Sequence, residues 1–252
     1  MTPVRQGRRA GRGYRWWLLL AAFPLLLSCS TLGRSGEWWQ ARRDSSGQAP
    51  DPLVVREPVV QVYAARTVGW RGVFGVHTWI VTKRAHAETW TRYEVVGWGV
   101  RRGLPAVQVN RTGPDNYWFG SWPDLLADAR GDGVESLIDR IETAVAAYPY
   151  PDSYRTWPGP NSNTFTAWVA RQVPEVRLDL PPTAIGKDYL PGGAVMATTP
   201  AGRGLQLSLL GVAGVLAGWD EGLEVNVLGL TFGVDVKKPA LKIPLVGRVG
   251  TR

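Results

Sequence analysis

Alternating apolar and polar side chains predict strands in the part of the chain that begins at residue 59. Val60, Val62 and Ala64 alternate with more polar neighbours, as on a strand with two different faces. The runs 73–82 and 92–100 are rich in β-branched and aromatic residues, and the polar stretch 83–91 between them is suited to closing a hairpin. A further short strand is expected at 107–110, followed by a polar and aromatic loop at 111–122.

Helical spacing appears in the middle of the chain. A first helix is predicted after Gly133, where apolar residues recur at intervals of three and four: Leu137, Ile138, Ile141, Ala144 and Val145. A second is expected to begin in the cluster 161–163 and to continue to Val173, because Pro174 cannot extend it.

The last part of the chain is rich in glycine and apolar residues. Leu223, Val225 and Val227 alternate with Glu224 and Asn226, which indicates strands, and the apolar run 205–219 is expected to be buried core. The whole pattern predicts an α+β fold, with an antiparallel sheet and two or three packed helices.

The N-terminus has the pattern of a signal peptide. Five arginines and no acidic residue precede an apolar run at 16–27, and the small residue Ser28 follows this run. That run of about 12 residues is shorter than the roughly 20 needed to cross a bilayer. We therefore predict a leader at residues 1–28.

The single cysteine of the chain, Cys29, directly follows this leader. The sequence Leu26-Leu27-Ser28-Cys29 resembles the bacterial lipobox, which implies lipid on the Cys29 thiol and a membrane-anchored protein of the cell envelope that faces the periplasm. Ser30 in place of Asp favours the outer membrane if the source is Gram-negative. Residues 29–58 are predicted to be a lipidated tether and 59–252 a single globular domain; the alternative is an incidental cysteine after an uncleaved anchor.

Charge and composition exclude several classes of function. The formal charge of +8 includes five arginines of the leader, so the remaining chain has 24 basic and 21 acidic residues and no basic stripe that would indicate nucleic acid. With two histidines and no cysteine after Cys29, neither a Cys-based nor a three-His zinc site is expected, and we predict no metal and no cofactor.

Two short segments carry the candidate chemistry. His77 lies on a predicted strand, and Asn161, Ser162 and Asn163 open a predicted helix. If the fold joins them, the imidazole is a candidate general base, Ser162 a candidate nucleophile, and the helix N-terminus a candidate oxyanion site. The simpler interpretation is that the cluster only caps the helix and that His77 is a hydrogen-bonded core residue beside Trp79.

Further residues are candidates to orient His77 or to line a ligand cleft. Glu94 is a candidate to orient His77 across the hairpin, although alternation does not fix its face and an exposed surface acid is the simpler interpretation. The predicted lining of a ligand cleft consists of six residues, for which a plain loop and a cap are the alternatives: Trp79, Asp115, Asn116, Trp118, Asn161 and Asn163.

Five blocks of the chain resemble a bacterial family known as domain of unknown function 3750. They are V-Y-A-A-R-T-V-G-W-R-G, G-V-H-T-W-I, Y-E-V-V-G-W-G, P-G-P-N-S-N-T-F and L-P-P-T-A-I-G-K-D-Y, within a resemblance that runs from residue 59 to about 250. The family name implies no activity.

A more distant resemblance suggests a chemistry. The frame from Asn161 to Phe165 is similar to the Asn-Cys-x-x-Phe block of circularly permuted papain-like hydrolases, including the lecithin–retinol-acyltransferase-like group, with Ser162 in the place of the cysteine and His77 in the histidine block. This implies a permuted papain-like fold. A serine hydroxyl is much harder to ionise than a thiol, so we expect a cleft that binds an envelope peptide, peptidoglycan or lipid and whose chemistry is lost or changed. The alternative is a serine-type hydrolase or acyltransferase that acts on amide or ester bonds.

Overall fold

A computed structural model describes residues 38–251. The predicted leader, Cys29 and the first part of the predicted tether lie outside this range. Within residues 38–251, no helix combines the length and the apolar character that crossing a membrane requires.

The first sheet holds five antiparallel strands in the order β4-β3-β2-β1-β5. Three helices accompany it: α1 is a single short turn before β2, and α2 and α3 pack on each other and on the sheet. The bounds are β1 Val59–Arg66, α1 Arg71–Phe74, β2 Val76–Lys83, β3 Thr91–Val95, β4 Val107–Val109, β5 Asp124–Arg130, α2 Val134–Ala146 and α3 Ser162–Gln172.

Both faces of the central strands are covered, and this explains why every residue of β2 is buried. One face meets the apolar stripes of α2 and α3, including Ile138, Ile141 and Phe165, which are fully buried. The other face meets a smaller aromatic cluster that includes Tyr63, Trp79 and Trp118. Neighbouring residues of β2 therefore contact two different parts of the protein.

The second sheet is a meander of seven antiparallel strands in the order β12-β11-β10-β9-β8-β7-β6. Its strands are β6 Met196–Thr198, β7 Gly204–Leu209, β8 Ala213–Gly218, β9 Gly222–Val227, β10 Leu230–Asp235, β11 Ala240–Ile243 and β12 Gly247–Gly250. Its inner face is polar and contacts the segment that follows α3. There Asp188 accepts hydrogen bonds from Gln206 and Asn226, and Glu224 pairs with both Lys187 and Lys242.

The predicted α+β class and the antiparallel arrangement are confirmed, with two sheets in place of one. The helix after Gly133 and the helix opened by 161–163 both form. The strand expected at 73–82 begins only at Val76, because 71–74 form a helical turn, and β5 was not predicted.

The prediction that 205–219 is buried core was wrong. This run forms β7 and β8, whose leucines and valines mostly point outward, whereas Gln206 and Ser208 are buried. The same inversion holds for β9, where Glu224 and Asn226 are buried and the apolar residues are exposed. Alternation predicted the strands correctly but not which face meets the rest of the protein.

Part of the predicted tether lies against the domain. Trp38 contacts the ring of Phe119, and the Arg42 guanidinium lies 3.9 Å from the centre of the Tyr117 ring. The Asp115 carboxylate accepts hydrogen bonds from the hydroxyls of Ser45 and Ser46.

Candidate functional site

A cleft with a volume of about 750 Å³ opens at the end of the first sheet, and His77 and Ser162 both line it. His77 is the second residue of β2 and Ser162 the first residue of α3. The residues around His77 in β2 fix α3 at this place: the Val76 carbonyl accepts a hydrogen bond from the Asn163 amide, and the Thr78 hydroxyl donates to the Ser162 carbonyl at 3.2 Å. The sheet and the helix therefore bring the predicted base and the predicted nucleophile into one cleft.

His77 is held by a buried chain of charged groups. Its Nε2 lies 2.9 Å from Glu94 Oε2, and the same oxygen accepts a hydrogen bond of 2.9 Å from Arg92 Nη2. Arg92 and Glu94 are each 1% exposed. The Arg92 guanidinium also donates to the Gly113 carbonyl and lies 4.1 Å from the centre of the Trp79 ring. Glu94 is thus a buried partner of His77, and its interpretation as a surface acid was wrong.

The electrostatics of this chain fix the tautomer of the imidazole. Burial raises the pKa of Glu94, but the hydrogen bond from His77 and the charge of Arg92 outweigh it and lower the pKa to about 2. Burial lowers the pKa of His77, more than Glu94 raises it. At neutral pH a neutral imidazole therefore donates from Nε2 to an ionised Glu94, and Nδ1 is left as the basic nitrogen.

Aromatic rings cover the imidazole. Trp118 stacks on His77 with ring centres 3.7 Å apart, and Trp98 stacks on Trp118 with ring centres 5.4 Å apart. Trp118 is buried, whereas Trp98 is 44% exposed at the mouth of the cleft. This stack limits the rotation of His77 and extends a flat aromatic surface into solvent.

The N-terminus of α3 is fixed by a capping box. The Asn161 side chain accepts hydrogen bonds from the backbone N–H groups of Asn163 and Thr164. The Thr164 hydroxyl oxygen accepts a hydrogen bond from the backbone N–H of Asn161 in return. The Asn161 amide also donates to the carbonyls of Thr156 and Ile185. Gly186, at φ +98°, leaves space for it, since a Cβ there would lie 2.3 Å from Asn161 Nδ2. Capping is therefore one role of this cluster, and the Ser162 hydroxyl itself makes no hydrogen bond within the described part of the chain.

The structure divides the predicted site residues into two groups. His77, Trp118, Asn161, Ser162 and Asn163 line the cleft, with Glu94 directly behind His77. The remaining three predicted residues have other positions: Trp79 is fully buried and donates to the Pro114 carbonyl, Asp115 binds the 45–49 segment, and Asn116 donates to the Arg43 carbonyl.

Sequence reasoning missed the charged lining of the cleft. Four arginines and no acidic residue line it, together with the partly exposed rings of Trp70, Trp98 and Trp157; the arginines are Arg71, Arg101, Arg102 and Arg155. Only Arg101 and Arg102 are neighbours in the sequence, so no local pattern could have grouped all four arginines. Among residues 38–251 there is also no group of three or more His, Cys, Asp or Glu side chains placed to hold a metal ion.

The comparisons with known proteins identify a family without an assigned activity. No curated protein and no solved structure matches the chain. The family model described as "Protein of unknown function (DUF3750)" matches residues 57–189. The match covers more than half of the chain and contains every residue that lines the cleft, but it ends before the seven-stranded sheet begins. The chain belongs to this family, as its sequence blocks predicted.

Proposed function

We propose that this protein is an exported lipoprotein of the cell envelope whose cleft binds an anionic ligand with flat or cyclic groups. The observation that carries the proposal is the lining of the cleft, in which four arginines and exposed tryptophan rings occur without any acidic side chain. Arginine pairs with carboxylate and phosphate oxygens, and indole rings stack on flat ligand surfaces. Peptidoglycan fragments combine carboxylates with sugar rings and are the envelope ligands that fit this lining best.

Binding of a muramyl dipeptide tests this proposal by isothermal calorimetry. The acid should bind, and its carboxyl-amidated neutral counterpart should bind at least tenfold more weakly because it lacks the charge that the arginines recognise. Arg155→Ala should weaken binding of the acid, whereas Arg140→Ala should leave it unchanged, since Arg140 pairs with Glu175 on an exposed surface of α2. Equal affinity for the acid and the amide would refute the assignment of an anionic ligand.

The envelope location is supported by the leader and by the position of Cys29. Lipid on the Cys29 thiol would place the cleft next to the membrane to which the tether leads. Metabolic labelling with an alkyne fatty acid should mark the wild-type chain, and Cys29→Ala should be unlabelled and should remain as the unprocessed precursor. A Cys29→Ala chain that is fully processed and remains bound to the membrane would exclude the lipid anchor.

A serine-type hydrolase or acyltransferase is the second candidate, and the geometry of His77 favours it. Glu94 holds Nε2, so Nδ1 is available as a base, and the Ser162 hydroxyl lies at a helix N-terminus in the same cleft. The resemblance to permuted papain-like hydrolases supports this candidate, because it implies that the Ser162 hydroxyl takes the role of their thiol.

A fluorophosphonate probe distinguishes the two candidates. An enzyme should be labelled at Ser162, with the labelling lost in both Ser162→Ala and His77→Gln. In Ser162→Cys, a neighbouring imidazole should make the new thiol react with iodoacetamide faster than an ordinary cysteine does. A wild-type chain that binds the anionic ligand but is not labelled is a binding module and not a hydrolase.

A further inference from the structure

The outward surface of the seven-stranded sheet, here called the outer face, is apolar at nearly every position. Cross-strand pairs share one face of a sheet, so the register of the seven strands identifies its members. Its exposed members are one polar residue, Thr198, and fourteen apolar residues: Met196, Leu205, Leu207, Leu209, Ala213, Val215, Ala217, Leu223, Val225, Val227, Phe232, Val234, Leu241 and Val249. None of these positions carries a charge.

The exposed apolar area of the outer face is larger than the apolar patches found on typical monomeric proteins. Its twelve apolar side chains larger than alanine are each between 42% and 63% exposed. Together they present on the order of 1,000 Å² of apolar surface, whereas the largest patch on a typical monomer is about 300–600 Å². The polar inner face already packs against the domain, so the outer face is left for another molecule.

The turns of the sheet retain apolar residues at a cost in backbone energy. Leu210, Leu228 and Leu245 have φ of 52°, 56° and 67° and lie in the turns at one end of the meander. The left-handed conformation costs a leucine roughly 1–2 kcal/mol, and asparagine or glycine is usual in such turns. Leu210 and Leu228 are 51% and 63% exposed, so they continue the apolar surface around this end.

A lipid bilayer fits this surface poorly. The sheet is open, and its edge strands β6 and β12 each present backbone groups that lipid cannot satisfy. The outer face also has neither tryptophan nor tyrosine, the residues that favour the membrane interface, although the chain has 13 tryptophans. Leucine and valine on a pleated surface are instead the residues that fill the space between two packed sheets.

We propose that the outer face binds the same face of a second copy of this chain, with the two sheets packed as a sandwich. An isologous twofold interface needs a surface that is complementary to itself, and a face without charge meets its own copy without like-charge repulsion. A standard stable interface buries about 800 Å² from each partner, which the outer face can supply. The proposal does not depend on the cleft, because the two are built from different parts of the chain. The cleft lies within the family match, which ends at residue 189, and the outer face begins at Met196.

Co-isolation of two differently tagged full-length chains tests the second copy. Val225 lies on β9, the central strand of the meander, and is 43% exposed, so a twofold sandwich centred on the outer face would bring the two copies of Val225 together. Wild-type copies should co-isolate, and Val225→Glu in both should reduce co-isolation at least tenfold, because burying unpaired carboxylates is costly. Val109→Glu is the matched control, since Val109 is an exposed valine of the first sheet, at 53%.

A charge-pair rescue tests direct contact of the two faces. Val225→Arg in both copies should abolish co-isolation, and co-isolation should return when one copy carries Val225→Glu and the other Val225→Arg. Rescue also shows that both variants are folded. Three results would overturn the proposal: wild-type copies that do not co-isolate, co-isolation that survives Val225→Glu, or loss without rescue in folded variants. Wild-type chains that do not co-isolate but bind phosphatidylglycerol vesicles in a Val225-dependent manner would assign the face to lipid.

Discussion

The buried chain of Arg92, Glu94 and His77 predicts a large and specific loss of stability in the variant Glu94→Gln. The substitution preserves the size of the side chain but removes the negative charge beside Arg92, which is 1% exposed. Removing one partner of a buried ion pair typically costs about 3–5 kcal/mol. Arg92 keeps its bond to the Gly113 carbonyl and its position over the Trp79 ring, so we expect the lower end, about 3 kcal/mol.

Urea unfolding followed by tryptophan fluorescence measures this loss. Glu135→Gln is the matched control, because it breaks the ion pair of Glu135 with Arg84, whose side chains are 43% and 42% exposed. Exposed pairs contribute about 0–1 kcal/mol, so Glu94→Gln should cost at least three times as much as the control. Equal costs for the two variants would refute the view that the buried pair stabilises the fold and orients His77.

Three further predictions follow from the site and the second sheet. Burial lowers the pKa of His77 despite Glu94, so below pH about 6.5 the unfolded chain binds a proton that the folded chain does not. The free energy of unfolding should therefore decrease as the pH is lowered from about 7 to about 5.5. This decrease should be smaller in His77→Gln. Gly186→Ala should cost more in urea unfolding than Gly103→Ala, because both glycines have positive φ but only a Cβ at 186 would overlap Asn161; equal costs would contradict this. Leu228→Asn should raise the free energy of unfolding of the Val225→Glu variant by up to about 1 kcal/mol, because asparagine tolerates the left-handed conformation, and a loss of stability would show that the turn is not strained.

The elements that could be predicted from sequence are those whose signals are local. The stripe from Leu137 to Ala144 has helical spacing and packs as that spacing requires, and Asn161 caps α3 as its residue type suggests. The burial of Glu94 could not be predicted, because it depends on partners that alternation does not reveal. Arg92 lies on the same strand, β3, and His77 lies on the neighbouring strand, β2. The positive cleft likewise joins arginines from three separate segments of the chain.

The orientation of the second sheet could not be predicted from the local sequence pattern, because the pattern does not determine which face is buried. Alternation at Leu223, Glu224 and Val225 is the same whichever face is buried, and the usual assumption places the apolar face inward. In this chain the surface that the sheet meets is itself charged: Lys187 and Asp188 follow α3, and their buried partners are Glu224, Gln206 and Asn226. Packing the apolar face there would leave Lys187 and Asp188 buried without those partners, which costs several kcal/mol for each ion. The polar face must therefore point inward, and the apolar face remains outside, where we propose that a second copy of the chain covers it.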